Sequence, residues 1–137
     1  MVVHMTTPLT AARALHAALA EGRSGAELAA LLTDDVVTTE YPNALKPTGA
    51  TADRAAMLAA SATGAGLLAW QRYDELDAHE FGDTAAFRLT WSGEIARDTG
   101  PFSAGQVLIA HIAQFIRVRE GRVSSIATYD CYEPFGD

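Results

Sequence analysis

Cysteine is almost absent from this chain, and its scarcity excludes two kinds of protein. Cys131 stands alone, so there is no disulfide framework and no cysteine-based metal site. His4, His16 and His79 show no ligand spacing with one another or with Cys131, and no metal is expected. A glycine-rich phosphate loop and a Gly-x-Ser-x-Gly motif are also missing. The sequence therefore lacks the marks of a nucleotide-phosphate site and of a serine hydrolase.

Basic residues and long apolar runs are scarce as well. Ten Lys and Arg stand against seventeen Asp and Glu, which gives a net charge of −7, and the basic residues form no cluster. A nucleic acid or an anionic membrane is therefore not expected as a partner. No apolar run reaches the length of a membrane span, and no signal peptide is visible. We expect a cytoplasmic protein.

What is present suffices for one globular domain. In 137 residues, 49% are hydrophobic and 20% are charged, which supports a substantial core. The opening Met-Val-Val-His-Met has the look of a leader added for expression, with Met5 as the natural start. We therefore take residues 6–137 as a single domain.

The first half of the domain predicts three helices. Thr7-Pro8 can open the first one, and Ser24 with Glu27 forms a capping-box pattern for the second. Gly64 and Gly66 are expected to end the third. The predicted helices cover 10–21, Ser24 to the Asp34-Asp35 pair and 51–63, with a short strand over 36–41.

The second half predicts long strands over 69–81 and 84–95 and then a closing hairpin from Val107 to Phe135. Within 84–95, apolar residues alternate with more polar ones, so one face of the sheet is buried. The order predicts an α+β fold, a cone-shaped, curved antiparallel sheet closed by three N-terminal helices around a cavity.

The turn of the closing hairpin decides which residues face each other. A two-residue turn on Glu120-Gly121 would need a positive φ at Glu120, which is costly. A three-residue loop with Gly121 in the left-handed position is therefore predicted, and it pairs Ile112 with Thr128 and Ala110 with Asp130. The two-residue alternative would bring His111 opposite Asp130.

One face of this hairpin is apolar with three polar side chains, Gln114, Thr128 and Asp130, set into it. A carboxylate in such a wall needs a hydrogen-bonding partner or a raised pKa. An apolar wall with a few convergent polar groups is typical of small-molecule pockets. The opposite face carries His111, Phe115, Arg117, Tyr129 and Cys131 and is a candidate partner surface.

Three segments together resemble the SnoaL-like branch of the nuclear transport factor 2-like superfamily. They are TEYPNALKPTG, GDTAAFRLTWSG and GRVSSIATYDCYEPF, and the resemblance extends from Thr10 to Phe135. It implies one SnoaL-like α+β barrel domain with a pocket in the mouth of the cone, no cofactor, and a homodimer formed through the outer sheet face. The same fold carries isomerases, epoxide hydrolases, polyketide cyclases and non-catalytic binders.

Two catalytic patterns of this superfamily match the chain only in part. The strand-end aspartate of ketosteroid isomerases corresponds to Glu40, with Tyr41 beside it. Their helix-borne tyrosine falls at Leu15 or His16, so that oxyanion donor is missing, and their second aspartate falls near Gln114. The Tyr-x-Asn pair of limonene-epoxide hydrolases matches Tyr41-Pro42-Asn43. The positions of their Asp-Arg-Asp set hold Arg88, Thr90 and Thr128 here.

The leading hypothesis is a cofactor-independent acid–base enzyme that acts on a small, apolar, oxygenated molecule as an isomerase, a polyketide-type cyclase or an epoxide hydrolase. Asp130 or Glu40 would be the base, with Tyr41 as a further catalytic residue. The alternatives are a non-catalytic binder with the same pocket and a dimeric assembly module. The expected substrate-binding residues are Asn43, Phe87, Trp91, His111, Ile112, Gln114 and Thr128.

Overall fold

The computed structural model describes residues 6–135, so the expected leader at residues 1–5 lies outside the described part. Three helices and six strands follow one another along the chain. They are α1 (Pro8–Ala20), α2 (Gly25–Ala29), β1 (Leu32–Glu40), β2 (Ala50–Ala52), α3 (Arg54–Leu67), β3 (Leu68–Phe81), β4 (Thr84–Ile95), β5 (Val107–Arg119) and β6 (Arg122–Tyr132).

The first helix begins where the sequence predicts, and the second is shorter than predicted. Thr7 is the N-cap of α1, and its side chain accepts a hydrogen bond from the Thr10 N–H. Ser24 occupies the N-cap of α2 but makes no side-chain capping bond, so the predicted capping box does not form. Leu32, which lies within the predicted range of this helix, is the first residue of β1 and is fully buried. Burial in the sheet therefore overrides the local helical pattern.

The third helix starts later and ends later than predicted. Asp53 is its N-cap and accepts a hydrogen bond from the Ala56 N–H at 2.9 Å. The helix continues through Gly64 and Gly66 and passes into β3 without a loop. Each glycine costs about 1 kcal/mol relative to alanine, which is too little to end a helix that packs on the sheet. The short strand β2, which precedes the helix, was not predicted.

The six strands form one mixed sheet in the order β2-β1-β6-β5-β4-β3. Strand β1 runs parallel to β6, with Glu40 beside Thr128, whereas the other neighbours are antiparallel. The prediction of an entirely antiparallel sheet was therefore wrong at this one pair. Within residues 6–135 the edge strands β2 and β3 do not pair, so the curved sheet is not a closed barrel.

The closing hairpin has a two-residue turn and not the predicted three-residue loop. Glu120 and Gly121 both have positive φ, 53° and 78°, and Arg119 pairs with Arg122. A bulge at Ser124 then shifts the pairing, so that Ile112 faces Asp130 rather than Thr128. The predicted pairs were wrong by two residues. Because side chains alternate with a period of two, this error leaves every side chain on its predicted face.

The core lies between the inner face of the sheet and the helices. In β4 the predicted alternation holds from Ala85 to Leu89, where Ala85, Phe87 and Leu89 are buried. Their cluster includes residues from α1, α2 and all the long strands except β3, which contributes partly buried side chains. The largest fully buried side chains are Leu15, Leu28, Leu32, Val36, Leu89, Ile116 and Val123.

Candidate functional site

A row of hydrogen bonds crosses the inner face of the sheet from α1 to β6. The Nε2 atom of His16 lies 2.7 Å from Oε1 of Gln114, and Nε2 of Gln114 donates to Oγ1 of Thr128 at 3.1 Å. The Thr128 hydroxyl donates to Oδ1 of Asp130 at 2.5 Å. The register explains this arrangement, since Gln114 and Thr128 are direct cross-strand partners and Asp130 follows Thr128 on the same face.

Asp130 is half-buried on this apolar face. Burial is the main cause that raises the pKa of its carboxyl above the ordinary value of 3.8, and the negative charge of Glu40 raises it further. The hydrogen bond from Thr128 and the positive charge of Lys46 oppose the rise. The site therefore holds a carboxylate that is more basic than one in water, with one of its oxygens anchored.

Two tyrosines stand close enough to Asp130 to respond to its charge. Burial, with the Asp130 charge as the second cause, raises the pKa of both Tyr73 and Tyr132. Both phenols therefore keep their protons at neutral pH and can donate hydrogen bonds. The Tyr73 hydroxyl lies 3.4 Å from Oε1 of Gln71, to which the Trp91 indole N–H also donates at 3.0 Å.

Aromatic rings line the end of the sheet beside Asp130. Trp91 meets Tyr132 edge to face at a centroid distance of 6.3 Å. Tyr132 in turn contacts Phe135, which packs against Phe102 of the β4–β5 connection at 5.2 Å. This aromatic wall suits the flat apolar body of an organic ligand.

Glu40 is near the site but is held by its own loop. Its carboxylate accepts hydrogen bonds from Asn43 Nδ2 at 2.8 Å and from Lys46 Nζ at 3.2 Å. The Asn43 side chain also accepts from the backbone N–H groups of Leu45 and Lys46. Asn43 thus organises the loop after β1, and Glu40 serves as its anchor and as a negative charge near Asp130.

Tyr41 and His111, both expected at the site, lie on the outer face of the sheet. The Tyr41 ring stacks on Tyr129 at a centroid distance of 4.4 Å, with 7° between the planes. His111 pairs with Glu133 through a 2.7 Å contact, and its side chain is 58% exposed. Arg88, which matched the epoxide-hydrolase arginine, is bound to Asp77 on the same outer face. These residues are not placed to act together with Asp130.

The other predicted residues do converge. Ile112 is the cross-strand neighbour of Asp130, Phe87 is buried beside His16 at 5.0 Å, and Trp91 is in the aromatic wall. With Gln114 and Thr128 they form the inner surface around Asp130.

Sequence reasoning missed His16, Tyr73 and Tyr132. His16 is 6% exposed and stacks on Tyr73 at 4.8 Å. Burial is the main cause that lowers the pKa of its imidazole below 6.5, so the ring is neutral at physiological pH. The available signal was its place beside Leu15 on the apolar stripe of α1, where a buried polar side chain requires a partner.

Two clefts flank α1, and neither is lined by Asp130. The larger, about 250 Å³, lies between α1 and β3 and has the His16 and Tyr73 rings in its wall. The smaller, about 150 Å³, lies where the ends of α1 and α3 approach β3. A closed pocket over Asp130 stays a prediction. In residues 6–135, no three His, Cys, Asp or Glu side chains cluster as metal ligands, and no helix has the length and apolar character needed to cross a membrane.

Comparison with known proteins identifies the family. The SnoaL-like domain matches residues 12–126, and the chain belongs to this family. Among solved structures, IdmH of Streptomyces antibioticus, a proposed polyketide cyclase, is 22% identical with a TM-score of 0.73, covering 90% of this chain and 91% of its own. No curated protein matches the sequence.

Two further solved structures have the same fold at a similar level of sequence identity. A proposed polyketide cyclase from Xanthomonas campestris pv. campestris is 19% identical with a TM-score of 0.71, covering 89% of this chain and 88% of its own. The second is a protein of ketosteroid isomerase-like fold from Catenulispora acidiphila, solved in complex with trimethylamine. It is 20% identical with a TM-score of 0.65, and the match covers 90% of this chain and 86% of that one. These likenesses confirm the predicted α+β cone fold; at such identities they define the fold alone.

Proposed function

We propose that this protein is a cofactor-independent enzyme that moves a proton next to a carbonyl group of a small, mainly apolar molecule. Isomerisation and aldol-type cyclisation both belong to this class of reaction. The observation that carries the proposal is the state of Asp130, a half-buried carboxylate with a raised pKa whose Oδ1 is held by Thr128. A carboxylate made more basic in this way can accept a proton from a substrate, and the resulting acid can return it.

Asp130 would remove a proton from the carbon beside the carbonyl, and the electron pair of the broken C–H bond would move to the carbonyl oxygen. The resulting enolate needs a hydrogen-bond donor at that oxygen. Tyr73 and Tyr132, which stay protonated, are the candidate donors. In an isomerisation the carboxylic acid returns the proton to a different carbon. In a cyclisation the enolate carbon attacks a second carbonyl, whose oxygen then takes the proton.

Proton transfer is favoured over epoxide hydration by the positions of the outer-face residues. Epoxide hydration in the resembling enzymes uses a tyrosine, an asparagine and an Asp-Arg-Asp set. Here Tyr41 stacks on Tyr129, and Arg88 is bound to Asp77, both on the outer face. Asn43 is occupied by its own loop. The proposed chemistry instead requires one carboxylate and a neutral donor.

The experiment compares the wild type with Asp130→Asn. A thermal-shift panel of steroids, aromatic polyketides, terpene epoxides and fatty acids finds a ligand, since binding to the native state raises the midpoint by mass action. Proton abstraction is then measured as exchange of the substrate's carbonyl-adjacent hydrogens for solvent deuterium, followed by NMR. We expect Asp130→Asn to bind the ligand and to lose roughly a hundred-fold to ten-thousand-fold in exchange rate.

Asp77→Asn is the matched control, because it removes a carboxylate from the outer face and should leave exchange unchanged. Undiminished exchange in Asp130→Asn would overturn the assignment of the base. A ligand bound by the wild type without any exchange or turnover would establish the alternative, a non-catalytic binding protein.

We also propose that the protein is a homodimer through the outer face of the sheet. Three exposed aromatic side chains, Tyr41, Phe115 and Tyr129, lie together there, with Phe115 edge-on to Tyr129 at 6.3 Å. Aromatic residues are enriched where protein interfaces form.

A further inference from the structure

The hydrogen-bond row from His16 to Asp130 links a helix to two strands. It consists of three successive side-chain contacts of 2.7, 3.1 and 2.5 Å. His16 is on α1, Gln114 on β5, and Thr128 with Asp130 on β6. His16 and Thr128 are each only 6% exposed, so water competes little with these bonds.

The chemistry of each group determines the direction of the whole row. An ionised carboxylate can only accept hydrogen bonds, so the Thr128 hydroxyl must donate its single proton to Asp130. Thr128 Oγ1 then accepts from the Gln114 amide N–H. The Gln114 carbonyl oxygen, the remaining end of that amide, can only accept from His16. Neutral His16 must therefore carry its proton on Nε2.

We propose that His16 is a positioning residue for Asp130: its Nε2–H fixes the orientation of Gln114 and Thr128, holds Oδ1 as an acceptor, and leaves Oδ2 as the oxygen that exchanges protons with substrate. This assignment rests on the proposed function, because it specifies how the same carboxylate is oriented. Among residues 6–135, Oδ1 is the one carboxylate oxygen of Asp130 that accepts a hydrogen bond from a side chain.

His16 acts through this orientation and not by relaying protons. The Gln114 amide interrupts any relay, since its nitrogen would have to lose a proton for one to pass. The ring is also held in place, stacked on Tyr73 and edge-on to Phe87. The charged groups near His16 are Arg13 and Glu75, which are bound to each other at 2.9 Å.

The groups that face Asp130 come from several elements. The negative charge of Glu40, at the end of β1, raises the pKa of Asp130, and the positive charge of Lys46, in the following loop, lowers it. The charge of Asp130 in turn raises the pKa of Tyr73 on β3 and of Tyr132 on β6. None of these four is altered by the substitutions below.

The test uses NMR on the whole protein and needs no substrate. Long-range proton–nitrogen correlation identifies the His16 tautomer, and carbon-13 detection follows the titration of the Asp130 carboxyl, assigned by its loss in Asp130→Asn. We expect His16 to be protonated on Nε2. Thr128→Val should raise the pKa of Asp130 by about one pH unit, because a hydrogen bond to a charged group is lost. His16→Phe, which keeps a ring beside Tyr73 but has no donor, should also raise the pKa of Asp130, by less than Thr128→Val does.

Conservative variants separate positioning from packing. His16→Gln retains an N–H at a similar reach, and Thr128→Ser retains the hydroxyl, so both should keep the wild-type titration of Asp130. A proton on Nδ1 of His16 would overturn the proposal. An equal pKa of Asp130 in Thr128→Val and Thr128→Ser would also overturn it. This pair of variants tests the proposal even if His16→Phe fails to fold. If the variants change the titration of Asp130 as expected while Asp130→Asn retains full turnover, the proposed function fails and the positioning of Asp130 by His16 stands.

Discussion

At the scale of single residues, the fold works against the ionisation of Asp130. The pKa of its carboxyl in the folded protein is raised above 3.8, chiefly by burial. Its contribution to stability is therefore fully present below pH 3.8, where the carboxyl is protonated in both states, and is lost as pH rises through the folded pKa. Such a cost is typical of functional sites, where a strained or desolvated group is retained for its chemistry.

Asp130→Asn should therefore be more stable than the wild type at neutral pH. The amide removes the buried charge, and its oxygen can still accept the Thr128 hydrogen bond. We expect the melting temperature at pH 7 to rise by a few degrees and the difference to vanish near pH 3.5. Calorimetry at the two pH values measures both. Asp77→Asn, which loses an exposed ion pair with Arg88, should gain nothing, and an Asp130→Asn protein that melts no higher than the wild type at pH 7 would contradict this account.

At the scale of elements, the β5–β6 hairpin shows how a turn and a bulge combine. Glu120 adopts φ 53°, a conformation that costs a non-glycine residue on the order of 1 kcal/mol or more. The two-residue turn alone would place Ile126, Thr128 and Asp130 on the outer face. The bulge at Ser124 restores them to the inner face, and it is why both Val123 and Ile126, three residues apart, are buried.

Glu120→Asn should stabilise the protein by about 1 kcal/mol, because Asn-Gly is the preferred pair for a turn with two positive φ angles. The free energy of unfolding in urea measures the gain. Glu120→Ala is the matched control, since it removes the same side chain without the tolerance of asparagine for positive φ, and it should not stabilise. Equal effects of the two substitutions would indicate that side-chain charge and not backbone strain is responsible.

Several element boundaries were predictable and others were not. The 84–95 strand was predicted with its observed bounds, because its alternation and the Gly82-Asp83 turn both point to it. The exit from α2 was not, since Leu28, Leu31 and Leu32 satisfy a helical period even though Leu32 belongs to the sheet. Local patterns do not contain the long-range burial that decides between the two.

At the scale of the whole molecule, the two faces of the sheet carry different sets of side chains. The inner face carries the polar row and the core, and the outer face carries the aromatic cluster of Tyr41, Phe115 and Tyr129. The interaction with the Tyr41 side chain is the main cause that raises the pKa of Tyr129, so the Tyr129 phenol stays protonated and uncharged at neutral pH. An uncharged aromatic surface suits contact with a second copy of the chain.

Phe115→Lys should break the proposed dimer. A charge in the centre of an aromatic interface is desolvated without a partner, and we expect the dimer dissociation constant to rise at least roughly tenfold. Analytical ultracentrifugation over a concentration series measures it. Leu76→Lys, at an exposed apolar residue of β3 away from the cluster, is the control and should leave association unchanged. A wild-type protein that remains monomeric at high concentration would refute the dimer.

The sequence alone determined the α+β class, the order of the long strands, and the face on which Gln114, Thr128 and Asp130 lie. These features follow from hydrophobic periodicity, which is local and survives an error of two residues in register. Only the tertiary structure decided that β1 runs parallel to β6, that Tyr41 turns outward, and that His16 reaches Gln114 from a helix ninety-eight residues away. Contacts between distant segments depend on how layers pack, and a local pattern does not specify which buried polar groups will satisfy one another.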